Sequence, residues 1–211
     1  MDVFTIVCNS HLGDNQHENS KQLGGNKLKI KLVIGMTLLF FGCHLNAFAL
    51  DGERKGFIIG VGAGLHRVNM DYDNIDDPDA KFGLATSLKI GGGITNQFTL
   101  YYVRNASWFK FEEDHKSYTA VTGISGIGAT YYFSPTAPSG YILGAIGVGD
   151  IDAPFEDDVD GETGSAFMIG GGYEFSPHVH IEGTFISTDI DFEYMDLTTR
   201  AFQITINYLW Y

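Results

Sequence analysis

Residues 201–211 read AFQITINYLWY. Taken in steps of two, Phe202, Ile204, Ile206, Tyr208 and Trp210 fall on one side, and Gln203, Thr205, Asn207 and Leu209 on the other. A period of two marks a β-strand, here with one oily face and one mostly polar face. The stretch has about the ten residues that a tilted transmembrane strand needs. It also closes on aromatic side chains, which favour a membrane interface. The last strand of a soluble sandwich would alternate in the same way, so the remainder of the sequence has to decide.

Eight strands are expected, over residues 56–68, 81–92, 98–110, 118–133, 141–151, 164–175, 178–187 and 200–210. Glycine is frequent, proline is sparse, and no helical periodicity interrupts the series. The connections alternate in character. After the second, fourth and sixth strands come GITNQ, SPTAPSG and SPH; after the first, third, fifth and seventh come NMDYDNIDDPDA, FEEDHKS, DAPFEDDVDGET and TDIDFEYMDLTT. Short turns on one rim and longer loops on the other are the habit of transmembrane barrels.

The faces agree. In the first strand Phe57, Ile59, Val61, Ala63 and Leu65 oppose Gly60, Gly62, Gly64 and His66. In the second, Phe82, Leu84, Leu88 and Ile90 oppose Gly83, Ala85, Ser87 and Lys89. The sixth sets Phe167, Ile169, Tyr173 and Phe175 against Met168, Gly170, Gly172 and Glu174; the seventh sets Val179, Ile181 and Phe185 against His180, Glu182 and Thr184. Large apolar residues share one face while glycines and charges share the other. A soluble lipocalin-type barrel has its oily residues inside, so this composition is inverted for it. The third, fourth and fifth strands have no clear phase. Aromatics gather at strand ends, with Tyr131, Tyr132, Phe133, Tyr141 and Tyr173 near short turns and Trp108, Phe109, Phe111 and Tyr118 near a long loop. Two belts of this kind are what headgroup regions select.

Upstream, KLKIK begins at Lys27 and is followed by LVIGMTLLFFGCHL, a cationic lead and an apolar run of about fourteen residues. Asn46-Ala47-Phe48-Ala49 then supplies an A-x-A cleavage signal. Residues 1–49 read as a secretory signal peptide with an extended start, cut after Ala49, and residues 50–211 as the barrel domain. A translation start nearer Leu23 or Leu28 would account for the polar residues 1–26. Acylation of Cys43 is the competing reading, and the bulky Phe40 and Phe41 before it argue against that. Cys8 and Cys43 both precede the cut, so the mature chain holds no disulfide. From Leu50 onward 9 basic residues stand against 23 acidic ones, a net charge of −14. An acidic balance of this size argues against a nucleic-acid partner.

GFIIGVGAGL in the first strand, GIGATYYFSP running into a turn, GGGYEFSPH followed by HIEGTF, and the aromatic end together resemble the small outer-membrane β-barrels of Gram-negative bacteria. This eight-stranded group includes the OmpA transmembrane domain, the OmpW-like proteins and the opacity-type porins. The resemblance implies an all-β, eight-stranded antiparallel transmembrane barrel in the outer membrane, with short periplasmic turns and longer acidic extracellular loops. It implies partners in outer-membrane lipid, lipopolysaccharide and the barrel-assembly machinery, and a host or cell-surface ligand reached through the loops. It also implies that the terminal strand carries the assembly signal, here Tyr208, Trp210 and Tyr211. In that family the last residue is usually the aromatic on the lipid face, whereas here Trp210 holds the lipid-facing phase and Tyr211 lies one beyond.

Several groups carry the residue types for chemistry. Gly60-Val61-Gly62-Ala63-Gly64 superficially resembles a nucleotide loop, but the next glycine of that motif would fall at Leu65 and no helix follows. Glycines that clear space for bulky inward groups explain it better. Lys89, Glu174 and Glu182, with Arg104 as a fourth, are expected to form an interior charge network. Such a network either plugs a narrow barrel or, if its pairs break, gates a pore. Asp71, Asp73, Asp76, Asp77 and Asp79 crowd one loop, and Asp158 and Asp160 with Glu156, Asp157 and Glu162 another. A weak divalent-cation site is the functional reading; solvated, mutually repelling loops are the plain one. The second loop starts like a calcium hand, but its twelfth position is Phe167 where glutamate is needed. No catalytic set emerges: His180 and Ser187, for example, are about 23 Å apart on a straight strand. No cofactor is implied. The expected role is structural or surface-interacting, with a narrow channel for small or hydrophobic solutes as the alternative and a lipid-modifying enzyme as the third.

Overall fold

The structure, a computed structural model, describes residues 53–72, 80–113, 116–155, 161–192 and 195–211. All of them belong to one unit, Phe48–Tyr211. The expected leader and its cut lie outside the described residues.

The strands are β1 (Gly56–Tyr72), β2 (Lys81–Gly93), β3 (Phe98–Glu113), β4 (Lys116–Tyr132), β5 (Ser139–Asp152), β6 (Glu162–Ser176), β7 (Val179–Phe192) and β8 (Met195–Trp210). Each pairs antiparallel with the next, and β8 returns to β1, so the sheet closes. The register fixes the geometry. Stepping sideways from Gly60 through Lys89, Val103, Gly126, Gly147, Ala166, Thr188 and Thr199 returns to β1 at Met70, ten residues higher. For eight strands that stagger corresponds to a tilt of roughly 40°, and the interior is only wide enough for side chains to fill.

The register also assigns the phase of the three unclear strands. Inward residues are Tyr101, Val103 and Asn105 on β3, Thr122, Ile124 and Thr130 on β4, and Tyr141, Leu143 and Ala145 on β5, all buried. These strands had no clear phase because their inward face is itself partly apolar. Val103, Ile124, Leu143 and Met168 belong to one buried cluster inside the barrel. The outward face is mostly oily: Ile146 is 73% exposed, Phe82 71% and Leu65 69%. A belt this large and continuous has no stable solution in water, and it suits hydrocarbon.

Strands run further toward the loops than the hydropathy pattern indicates. The β3–β4 ladder reaches Glu113 opposite Lys116, and the β7–β8 ladder reaches Phe192 opposite Met195. Charged residues end contact with hydrocarbon, but antiparallel pairing needs only backbone groups and continues past them. Thr198 donates to Asp189 at 3.0 Å and Arg200 to Asp71 at 2.7 Å along these extensions.

The opposite rim is tight. Between β6 and β7 the chain turns at Pro177 and His178, whose φ is +81°. That left-handed backbone is uncommon for a residue with a side chain. Its neighbours hold it: the His178 ring shares a 2.8 Å hydrogen bond with the Leu209 carbonyl, and Leu209 N–H donates to the His178 carbonyl at 2.9 Å.

Candidate functional site

Four levels of side-chain bonding cross the lumen. At the short-turn end, Arg54 lies just before β1 and is 2% exposed. Its Nε donates to Glu174 Oε2 at 3.0 Å, with a second, shorter contact from Nη2. Its Nη1 reaches the carbonyls of Asn96 at 2.7 Å and Ser134 at 2.8 Å, one in each of two neighbouring turns. The guanidinium carbon stands 3.9 Å above the Tyr132 ring, a cation–π contact. Tyr211 donates its hydroxyl to the other oxygen of Glu174. Arginine presents a planar fork of donors, and here every arm is used to tie one rim together.

One level up, Lys89 Nζ donates to Glu182 Oε2 at 2.5 Å, and Tyr141 donates to the same oxygen at 3.1 Å. Tyr101 lines this level, with its ring centroid 5.3 Å from Lys89 Nζ and its hydroxyl bonded to Thr130 at 2.7 Å. Glycine placement makes room for the rings. A Cβ on Gly172 would come within 2.4 Å of the Tyr141 hydroxyl, and one on Gly128 within 2.8 Å of the Tyr101 ring. Further toward the loops, Asn105 donates to Gln203 at 3.3 Å and Gln203 to Ser107 at 2.9 Å. Nearest the loops, Thr199 bonds Thr188 at 2.6 Å and lies 3.5 Å from Thr122.

Three of the four expected network residues, Lys89, Glu174 and Glu182, are therefore inside and paired, but as two separate pairs. Arg104 is a correction. It occupies the outward phase of β3, opposite Leu88, and bonds Asp150 at 2.7 Å across the small Gly123 and Ser125 of β4. Both partners are about one quarter exposed, at 25% and 29%. The residue that does complete the interior set is Arg54, which sits before any alternating stretch and so carries no periodic signal. Tyr211 had one: it keeps the inward phase of Leu209, Asn207 and Thr205.

Among the acidic loop residues, Asp71 is described and is paired with Arg200. Asp73, Asp76, Asp77, Asp79, Asp158 and Asp160 lie outside the described residues. Trp210 and Tyr208 face outward in contact with each other at 4.7 Å between ring centroids. Tyr211 is 1% exposed.

No family model matches the sequence, and no curated protein does. Solved structures do resemble it. Ail, the attachment invasion locus protein of Yersinia pestis, superposes with a TM-score of 0.53 at 10% identity, covering 74% of this chain and 99% of Ail. The fold is that of the eight-stranded outer-membrane barrels. Ail in complex with the heparin analogue sucrose octasulfate gives 0.51 at 14% identity, covering 73% and 99%. Neisserial surface protein A gives 0.48 at 13% identity, covering 71% and 96%. At such identities what is shared is the architecture, and the side chains described above are this chain's own.

Proposed function

We propose that this protein is a non-catalytic surface-interaction barrel of the outer membrane, which presents acidic hairpins on a lumen that is filled. The observation that carries the reading is the continuity of the β3–β4 and β7–β8 ladders beyond the oily belt. Paired hairpins hold their shape without a ligand, so they can bind with less ordering cost than free loops. Outer-membrane lipid, lipopolysaccharide and the barrel-assembly machinery are its other partners under this reading.

The sign of the charge selects the ligand class. Ail has been solved with a polysulfated sugar, but the loops here carry Asp71, Asp73, Asp76, Asp77 and Asp79 on one connection and Glu156, Asp157, Asp158 and Asp160 on another. Polyanions are repelled by such loops, whereas a basic surface or a divalent cation is drawn to them. The test compares polylysine and heparin binding to vesicles carrying the protein. Polylysine should bind, heparin should not, and changing Asp76, Asp77 and Asp79 together to Asn should weaken polylysine binding. Equal binding of heparin would overturn the reading.

A further inference from the structure

We propose that the outer wall over β8, β1 and β2 holds a phosphate-bearing acyl lipid of the leaflet on the loop side, with its phosphate on Arg67 and one acyl chain in the groove beneath. This site lies on the wall and does not depend on the loop reading above.

The wall there is concave. A groove of about 510 Å³ is floored by Ala63 and walled by Leu65, Phe82, Phe202, Ile204 and Ile206. Ala63 is the smallest outward side chain of β1 between Val61 and Leu65, and it pairs with Thr86 on one side and Ile206 on the other. The depression is thus written into the sequence: a small residue stands between rows of large ones. An acyl chain fills such a channel without loss of hydrocarbon contact.

The charge at the upper end identifies what the chain is attached to. Arg67 continues the outward phase of Ala63 and Leu65, lines the groove, and sits between Phe82 and Phe202 at the edge of the oily belt. It is exposed, and among the described residues nothing bonds or ion-pairs with it. The nearest cation on the same face is Arg200, two residues above the Phe202 partner of Arg67, and its charge is met by Asp71 at 2.7 Å. Among the described residues no carboxylate lines the groove. An arginine at the rim of the hydrocarbon therefore has no anion beside it among the described residues, at the depth where lipid phosphates lie. Guanidinium and phosphate match in shape as well as in charge.

The probe is lipid A, a phosphorylated acyl glycolipid, titrated into folded protein in non-ionic micelles and counted by native mass spectrometry. The wild type should bind it at least about tenfold more tightly than the dephosphorylated lipid, because the charge-assisted contact is lost. Arg67→Gln should weaken lipid A by about tenfold without changing affinity for the dephosphorylated form. Ala63→Leu, which fills the groove, should weaken both forms. Lys55→Gln, on the opposite rim, should change neither. Both lipid-facing variants leave the interior bonds intact, and the heat-dependent gel shift of the folded barrel verifies that they fold. Retention of lipid A within about twofold by Arg67→Gln, or equal binding of the two lipids by wild type, would overturn the proposal.

Discussion

Lys89 on β2 and Glu182 on β7 meet across the lumen at 2.5 Å, between strands that are not neighbours in the sheet. Both side chains are almost completely withdrawn from solvent, at 4% and 0% exposure. The pair is a strut as well as an ion pair. Tyr141 supplies a further donor to the same carboxylate oxygen, which offsets part of the desolvation that burial costs.

Breaking one side of this strut strands a charge. Lys89→Met is expected to destabilise the folded barrel by about 3–5 kcal/mol, read from urea unfolding in vesicles. The double change Lys89→Met with Glu182→Leu should restore most of that loss, since no unpaired charge remains. A double variant as unstable as the single one would show that the two residues are not coupled.

At the short-turn rim Tyr211 and Trp210 are adjacent in sequence but do different work. Tyr211→Phe removes a hydrogen bond to a buried carboxylate and should cost about 1.5–3 kcal/mol in the same unfolding assay. Its assembly into membranes should be unchanged. Trp210→Ala leaves Glu174 satisfied and should slow membrane insertion instead. Burial, chiefly, with the bond to Glu174 pushes the Tyr211 phenol, which follows the end of β8, up to about 12. The folded state thus holds that proton more tightly, so the contribution is complete below about pH 10 and fades as pH rises toward 12. Tyr211→Phe should flatten that part of the stability profile.

How much of this was legible in the sequence depends on where the polarity contrast is large. β1, β2, β6, β7 and β8 set bulky apolar residues against glycine, uncharged polar groups or charge, and their phases are visible in one dimension. β3 to β5 turn Val103, Ile124 and Leu143 inward beside outward Leu100, Ile127 and Ile142, so hydropathy cannot separate wall from lumen. Arg104 illustrates the consequence. A charge in an unphased strand was expected inside, yet Ala106, Gly123 and Ser125 around it are small enough for its stem to lie along the wall toward Asp150. Arg54 was invisible for a different reason: it precedes the first strand, and only the closed rim brings two distant carbonyls within its reach.

The Arg104–Asp150 pair should matter little to stability. Charges on the lipid face cost about 2–4 kcal/mol at mid-depth and about 0–1 near the interface, and Arg104 reaches toward the loop side. Arg104→Leu with Asp150→Leu together should be neutral or stabilising in vesicle unfolding. Asp150→Asn alone should destabilise by up to about 2 kcal/mol, because Arg104 then meets hydrocarbon without its counter-ion. A larger loss in the double variant would show that the pair does more than neutralise itself.

The filled lumen makes a prediction about conductance. The lumen is also filled by the apolar layer of Val103, Leu143 and Met168, in which water finds few partners. Removing the strut alone therefore leaves a hydrophobic constriction, and Lys89→Ala should show no conductance steps in planar bilayers. Adding Leu143→Ala and Met168→Ala opens that layer, and steps should then appear. The order of the two changes separates the barriers: if Lys89→Ala alone conducts, the ion pair is the whole gate; if the triple variant stays silent, one of the other levels, Arg54–Glu174–Tyr211, Asn105–Gln203–Ser107 or Thr188–Thr199, is a third seal.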